Sequence, residues 1–191
     1  MKIKKGQYGY RDSNRRMRLI ITGVLVAAIL AQLLARLLTT SQSAKNILTV
    51  MAILTVLPMA NMASPLLASW KYKTSSAAFH AKAAAYEDKC KMLYDLVVTT
   101  KDFILPIDAA AVHPNGVFAY CTNGKLQGDK LSKAEKSVNA LFLANKLEPN
   151  FKLMTDERKF FNRLDNLKPM SEYEDDGSVD YAAALVKSLS M

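Results

Sequence analysis

The chain has few of the residues from which metal centres and cysteine chemistry are built. Its 191 residues include only two cysteines and two histidines. Cys90, Cys121, His80 and His113 do not show the short spacings by which Cys and His ligands hold zinc. The sequence also has no Gly-rich loop followed by Lys-Ser/Thr that would bind phosphate. We therefore expect no metal centre and no cofactor, and we expect both thiols to be reduced and packed.

Acidic residues are nearly missing from the first third of the chain. Residues 1–73 contain 11 Lys and Arg but only one acidic residue, Asp12. Residues 74–191 contain 15 Lys and Arg against 16 Asp and Glu, so the net charge of +9 belongs to the N-terminal part. A domain that contacts many phosphates carries a clustered basic face. The charge distribution therefore argues against nucleic acid as a partner.

Two long apolar stretches, Leu19–Leu38 and Ile47–Trp70, contain no acidic residue. About 20 helical residues cross a bilayer core, so the two stretches predict a transmembrane helical hairpin in a lipid bilayer. Basic residues collect before the first stretch and after the second, which predicts that both termini are cytoplasmic. We expect a multi-pass protein of a bacterial inner (plasma) membrane. A cleaved signal peptide ending near Ser43–Ala44 is the alternative for the first stretch, but a second stretch follows at once.

These patterns divide the chain into four parts. Residues 1–18 form a basic cytoplasmic tail, and residues 19–70 form the two transmembrane helices with a short external loop. Residues 74–170 form a cytoplasmic α/β (α+β) domain, and residues 171–191 an acidic linker and a C-terminal helix. The part after the membrane helices is long enough for one compact domain with its own core.

The first half of the cytoplasmic domain is predicted as a helix followed by strands. Ser75–Val98 is predicted as a helix, because its apolar residues recur at spacings of three and four. Residues 103–112 and 117–121 are predicted as strands joined by a tight Asn-Gly turn. Pro106 requires an edge or a bulge in the first of them. Residues 125–128 are a candidate third strand.

Helices dominate the second half of this domain. Ser132-Lys-Ala-Glu135 has the capping-box pattern and predicts a helix that continues to about Leu147. Phe151–Met154 is a predicted strand, and Thr155 is the predicted N-cap of the helix that follows. The last predicted helix is Val179–Leu189.

This order of helix, two or three strands, helix and strand matches the αβββαβ core of the restriction-endonuclease-like fold. Within it, residues 107–123 resemble the hairpin of the nuclease-related domain family, known as NERD. Such domains carry an Asp after an apolar residue, a turn of the Pro-Gly type, then Gly-Val-Phe and a Glu-x-Lys at the strand end. The matching residues here are Asp108, Pro114, Gly116, Val117 and Phe118.

The resemblance implies a chemistry from which this chain departs. In that fold an Asp and a Glu hold a divalent cation such as Mg²⁺ through oxygen atoms, and a Lys helps to activate water and stabilise the anionic transition state. Cys121 stands at the Glu position and Asn123 at the Lys position. A thiol is a poor ligand for Mg²⁺. Asp108, Cys121 and Asn123 are therefore vestigial candidates, and Asp108 alone remains as a metal candidate, with a turn-flanking or capping role as its alternative.

Three functions are consistent with these residues. The first is a two-pass membrane protein whose non-catalytic cytoplasmic domain binds another protein at the membrane face, as a scaffold. The second is a membrane-tethered nuclease in which Asp102 or Glu135 joins Asp108 in an altered metal site. The third is a helper subunit of a membrane complex that uses the helical hairpin as its interaction surface. The incomplete motif and the nearly neutral domain favour the first.

Overall fold

The chain forms two compact units. The hairpin unit is residues 12–71, and the sheet domain combines residues 1–11 with residues 72–191. The sheet domain therefore takes in more of the chain than the predicted residues 74–170. The computed structural model describes residues 3–122, 126, 128–174 and 176–191.

The hairpin unit contains two long apolar helices. α1 is Tyr10–Leu38 and α2 is Gln42–Ser69, and each is long and apolar enough to cross a membrane. In their most apolar windows, 0% and 6% of the residues are buried. Core helices of water-soluble proteins bury such side chains, so this exposure fits a membrane protein. The predicted stretches Leu19–Leu38 and Ile47–Trp70 are confirmed as helical, apart from Trp70, which lies at the C-cap of α2.

Contacts inside the hairpin unit show that its helices are antiparallel. The Arg15 guanidinium lies 5.9 Å from the centre of the Trp70 ring, and Gln32 Nε2 donates to Thr55 Oγ1 at 3.4 Å. Several hydroxyls donate to the carbonyl four residues earlier, which keeps polar groups paired where water is absent. These hydroxyls belong to Thr39, Thr49, Thr55, Ser64 and Ser69.

The sheet domain is built around a four-stranded mixed sheet. Its strands, in spatial order, are β1 Lys91–Thr99, β2 Ile104–His113, β3 Gly116–Tyr120 and β4 Phe151–Met154. β1, β2 and β3 are mutually antiparallel neighbours, and β4 runs parallel to β3. A parallel neighbour needs a crossover connection, which contains α4, Asp129–Ala144. The predicted strands at β2, β3 and β4 are confirmed, whereas the candidate strand at 125–128 lies largely outside the described residues.

The predicted helix over Ser75–Val98 is wrong. Only α3, Ala77–Ala84, is helical, with the Ser76 side chain accepting from Phe79 N at 3.2 Å. The chain then enters β1, in which every residue from 92 to 98 is buried. A strand buried on both faces reads as one continuous apolar run, and periodicity alone does not distinguish it from a buried helix.

The β2–β3 hairpin turns at the predicted residues His113-Pro-Asn-Gly116. His113 pairs with Gly116, so the turn is Pro114-Asn115 and Gly116 begins β3. Gly116 has a φ of +129°, and a Cβ there would lie 2.5 Å from Asn150 O. Both the positive φ and this close approach require glycine. Pro106 lies in the part of β2 beyond the end of β3, with β1 as its strand neighbour, as predicted.

Helices cover both faces of the sheet. α4 and α6, Ser178–Ser188, pack on the first face, and α3 and α5, Glu157–Asp165, pack on the second. The first face receives the helix side chains Ala134, Val138, Phe142, Val179, Ala183 and Val186. The second face receives Phe79, Ala83, Phe160 and Leu164. The predicted last helix is therefore confirmed, and it belongs to the same core as the sheet.

The predicted N-caps of α4 and α5 are both wrong. α4 begins three residues before Ser132, and Glu135 Oε1 accepts from Leu153 N at 2.8 Å instead of bonding back to its own helix start. The N-cap of α5 is Asp156 rather than Thr155. Glu135 thus meets a backbone N–H of β4, whereas Asp156 caps its own helix by accepting from Arg158 N and Lys159 N.

Candidate functional site

Asp95 and Asp108 lie opposite each other at a break in the β1–β2 ladder. The residues on either side of them pair across the two strands, but the two aspartates do not. Asp95 has a φ of +54°, a left-handed conformation that is uncommon for residues other than glycine. Both aspartates are buried, with 1% and 4% of their surface exposed.

The break reverses the alternation of side chains in both strands. Strand side chains normally alternate between the two faces with a period of two. Here the residues on either side of each aspartate that pack in the same apolar cluster are three positions apart instead of two. The residues of that cluster are Leu93, Leu96 and Val98 in β1, and Leu105, Ile107, Ala110 and Val112 in β2. The aspartates therefore occupy a local irregularity that the two strands share.

The guanidinium of Arg11 lies in this break. Nη1 donates to Asp108 Oδ1 at 3.0 Å and to Lys73 O at 2.5 Å. Nη2 donates to Leu96 O at 3.1 Å and to Ile107 O at 2.9 Å. Arg11 is 6% exposed, and its buried Nε has no partner among the described residues. One carboxylate and three carbonyls therefore surround a buried cation, which is the pairing that a buried charge requires.

The second oxygen of Asp108 is also engaged. Oδ2 accepts from Thr122 N at 2.9 Å and from the Thr122 hydroxyl. Mg²⁺ binds carboxylate oxygens directly, but both oxygens of Asp108 already have partners and a guanidinium fills the space beside it. The residues around Asp108 therefore do not fit a divalent cation. Within the described ranges, no group of three or more His, Cys, Asp or Glu side chains is placed to hold a metal ion.

Asp95 is held by backbone N–H groups. Gly9 N donates to its Oδ2 at 2.6 Å, and Ser75 N approaches its Oδ1 at 3.4 Å. Burial raises the pKa of Asp95, and the charge of Arg11 and the hydrogen bond from Gly9 oppose that rise. Burial is the larger influence, so ionisation of this carboxyl is costly in the folded protein.

The residues that bring Arg11 into place belong to an N-terminal segment, Ile3–Arg11, that docks on the sheet domain. Tyr94 N in β1 donates to Gly6 O at 2.9 Å. The Tyr8 ring stacks on His80 of α3, with 4.1 Å between ring centres. Part of the predicted basic tail is therefore integral to the sheet domain.

Among the three vestigial candidates, Asp108 and Cys121 have different surroundings in the structure. Asp108 lies at the break with Arg11 and Thr122. Cys121 is fully buried in the apolar cluster on the face of the sheet that α4 and α6 cover. Its N–H donates to Met154 O at 2.9 Å. Asn123 lies outside the described residues. The cation beside Asp108 is therefore the guanidinium of Arg11.

The carboxylates proposed for an altered metal site have other surroundings. Asp102 is exposed in the β1–β2 loop. Glu135 accepts from Leu153 N at 2.8 Å and lies 3.8 Å from Lys152 Nζ. Among the described residues, neither carboxylate forms a hydrogen bond or ion pair with Asp108. The carboxylate that faces Asp108 is Asp95, which sequence reasoning did not select.

His113 and Cys90 are also titratable and buried, and each has local partners. His113 Nδ1 accepts from Asn115 N at 3.1 Å, and its Nε2 lies 3.0 Å from Lys168 O. Burial lowers the pKa of His113. Burial also raises the pKa of the Cys90 thiol to about 12, so it is protonated at neutral pH. Neither group is poised as a base or nucleophile.

Sequence reasoning identified Asp108 but missed Arg11, Asp95 and Thr122. A signal for Asp95 was present, because it is the charged residue inside the apolar run Met92–Val98, as Asp108 is inside Leu105–Val112. Arg11 gave no such signal, since it stands among other basic residues that membrane topology already explains.

No family model, curated protein or solved structure matches this chain.

Proposed function

We propose that this chain is a two-pass membrane-anchored protein whose cytoplasmic sheet domain is a non-catalytic, nuclease-like module that binds another protein. The observation that carries the proposal is the engagement of Asp108. One of its oxygens is paired with Arg11 and the other with Thr122. A carboxylate held in this way is not available to bind a catalytic cation.

The order of the elements supports a restriction-endonuclease-like core. α3, β1, β2, β3, α4 and β4 follow one another along the chain. Asp108 lies in β2, and Thr122 comes shortly after the end of β3, where the NERD motif would have its Glu-x-Lys. In this proposal the guanidinium of Arg11 takes the place of the metal ion that supplies positive charge in an active relative of this fold.

The covered edges of the sheet favour a protein partner that binds to helices or loops of the sheet domain and not to a sheet edge. The outer edge of β4 is covered, because the Asn139 side chain donates to Phe151 O at 3.1 Å and accepts from Phe151 N at 2.9 Å. The outer edge of β1 is covered near its end, where Thr99 N donates to Leu189 O at 3.0 Å. Edges covered in this way do not add a strand from another chain. The nearly neutral charge after residue 74 favours protein over nucleic acid.

The cytoplasmic location of the sheet domain is supported by the basic residues that flank the apolar helices. Arg15, Arg16 and Arg18 precede the apolar part of α1, and Lys71 and Lys73 follow α2. Cytoplasmic flanks of membrane helices collect such residues. The proposal therefore places the domain on the cytoplasmic side of an inner membrane.

A cleavage assay tests the non-catalytic part of the proposal. Full-length protein in lipid nanodiscs is incubated with Mg²⁺ or Mn²⁺ and with single- and double-stranded DNA and RNA. We expect no cleavage above the level of an Asp108→Asn variant prepared in the same way. Cleavage by wild type that EDTA abolishes, and that an Asp108→Asn variant with the circular dichroism of the folded wild type lacks, would establish the membrane-tethered nuclease instead.

A cross-linking experiment tests the protein partner and the surface that it uses. A chain in which residues 12–71 are replaced by an unrelated two-span hairpin is compared with wild type in cells, with a membrane-permeant cross-linker. The proposal predicts the same cross-linked partner for both chains, because the sheet domain is retained. Loss of that partner in the chimaera would assign the interaction to the hairpin unit and favour the helper-subunit function.

A further inference from the structure

The break between β1 and β2 has the donor and acceptor pattern of a guanidinium-binding site. Its acceptors are Asp108 Oδ1 and the carbonyls of Lys73, Leu96 and Ile107, two for each terminal nitrogen of the planar group. Asp95 adds a second carboxyl on the opposite strand. An ammonium is a point charge with three donors and does not match a planar set of acceptors as a guanidinium does.

The contacts that hold the rest of the N-terminal segment are those of a bound peptide. Gly6 O accepts from Tyr94 N in an isolated bridge to β1. Gly9 N donates to Asp95, and Tyr8 Oη donates to Ser75 O at 3.1 Å. Gly6 and Gly9 have φ angles of +91° and +81°, which glycine adopts without strain. The recognised pattern is therefore Gly-x-Tyr-Gly-x-Arg, read mainly through backbone atoms and one guanidinium.

We propose that this break is a binding site for a guanidinium group on a peptide that turns as the N-terminal segment Ile3–Arg11 does, and that this segment is its internal ligand. An arginine-bearing peptide of the protein partner occupies the same site when it displaces that segment. The inference rests on the proposed function, because it names the chemistry by which the non-catalytic module recognises its partner.

The charge at the site explains why a cation must be present. Without Arg11, the buried carboxyl of Asp108 would keep only the donors of Thr122, and that of Asp95 only the donors of the neighbouring chain such as Gly9 N and Ser75 N. Burial of an unpaired charge is strongly unfavourable. The domain therefore depends on a guanidinium in the break, whether it comes from its own chain or from another.

Chemical rescue of full-length Arg11→Gly tests the site directly. We expect a lower melting temperature than that of wild type, and a saturable recovery of about 5 °C on addition of guanidinium chloride. Concentrations up to about 20 mM stay well below the denaturing range. Ammonium chloride and sodium chloride at the same concentrations should give no recovery, and wild type should not respond. Equal responses to all three salts would overturn the proposal.

Peptide binding tests the exchange with a partner. A fluorescent peptide of residues 3–11 is titrated onto Arg11→Gly, next to the same peptide with its arginine replaced by lysine. The arginine peptide should bind at least about tenfold more tightly than the lysine peptide. At high concentration, unlabelled arginine peptide should also displace the N-terminal segment of wild type. Equal affinity of the two peptides would overturn the proposal.

Hydrogen exchange keeps the proposal testable if Arg11→Gly does not fold. Arg11→Lys retains the positive charge but loses the planar pair of nitrogen donors. The N-terminal segment should therefore be held less tightly, and the amides of Gly9 and Tyr94 should exchange faster than in wild type. Unchanged exchange of both amides would overturn the proposal. These readouts are independent of nucleic-acid cleavage, so a failure here is distinguishable from a failure of the non-catalytic assignment.

Discussion

Asp95 and Asp108 face each other across β1 and β2, at a position where the ladder between the two strands has no pair. The N-terminal segment reaches both of them, through Gly9 at Asp95 and through Arg11 at Asp108. The N-terminal segment, including the first residues of α1, thus completes the domain whose other elements all follow α2. Because the cation and both carboxyls are buried, the stability of the sheet domain is sensitive to each of these side chains.

Asp108→Asn should destabilise the sheet domain by about 3–5 kcal/mol, because it leaves the buried Arg11 charge without its carboxylate. Urea unfolding of the full-length protein in detergent, followed by circular dichroism, measures the change. Asp102→Asn is the matched control, since Asp102 is exposed, and it should change stability by less than about 0.5 kcal/mol. Similar effects of the two substitutions would show that the Arg11–Asp108 pair contributes little.

The stability difference between Asp95→Asn and wild type should increase with pH. Burial raises the pKa of Asp95 above its ordinary value of 3.8, so the folded state binds this proton more tightly than the unfolded state. Below the ordinary value the carboxyl is protonated in both states. As the pH rises from there through the raised folded pKa, the wild type loses stability that the variant does not lose.

Urea unfolding of both chains at a series of pH values from about 3.5 to about 7 measures this difference. Asp180→Asn is a control of opposite sign. A hydrogen bond and the charge of Lys91 lower the pKa of Asp180 below its ordinary value of 3.8. Wild type should therefore gain on this variant as the pH rises through the lowered folded pKa to that ordinary value, and for this control the series is extended below about pH 3.5. A constant difference for Asp95→Asn would contradict the burial argument.

Gly116→Ala should destabilise the sheet domain by about 2–4 kcal/mol, because strain at a positive φ adds to a clash. The new Cβ would lie 2.5 Å from Asn150 O, in the backbone just before β4. Gly128→Ala is the matched control, since Gly128 also has a positive φ but nothing lies within 4 Å of its added Cβ. Thermal unfolding of both variants measures the difference, and equal losses would exclude the close approach as the cause.

Accessibility of introduced cysteines tests the membrane orientation. A cysteine at Ser43, in the region between the apolar stretches, should react with a membrane-impermeant maleimide in spheroplasts, whereas one at Ser171 should react only after lysis. Both positions are exposed, and the native Cys90 and Cys121 are buried. Labelling of Ser171→Cys in intact spheroplasts would reverse the proposed orientation.

The elements that could be predicted were those whose cause is local. The Pro-Asn-Gly turn and the apolar runs beside it bounded the β2–β3 hairpin to within one residue at each strand end, and the short strand β4 was bounded correctly. β1 is buried on both faces, as β2 and β3 are, but no proline or glycine separates it from α3, so its apolar run was taken for part of a helix. The N-cap of α4 was wrong because Glu135 bonds to β4 rather than to its own helix, and the N-cap of α5 lies one residue later than predicted, at Asp156.

The amino-acid sequence alone was enough to establish the two apolar helices and the division of charge between the two parts of the chain. These depend on residue type and short spacing. Only the tertiary structure decided that Arg11 lies against Asp108, 97 residues further along the chain, with Asp95 on the neighbouring strand. Such a pairing depends on strand register and on where the N-terminal segment docks, and neither leaves a periodic trace in the sequence.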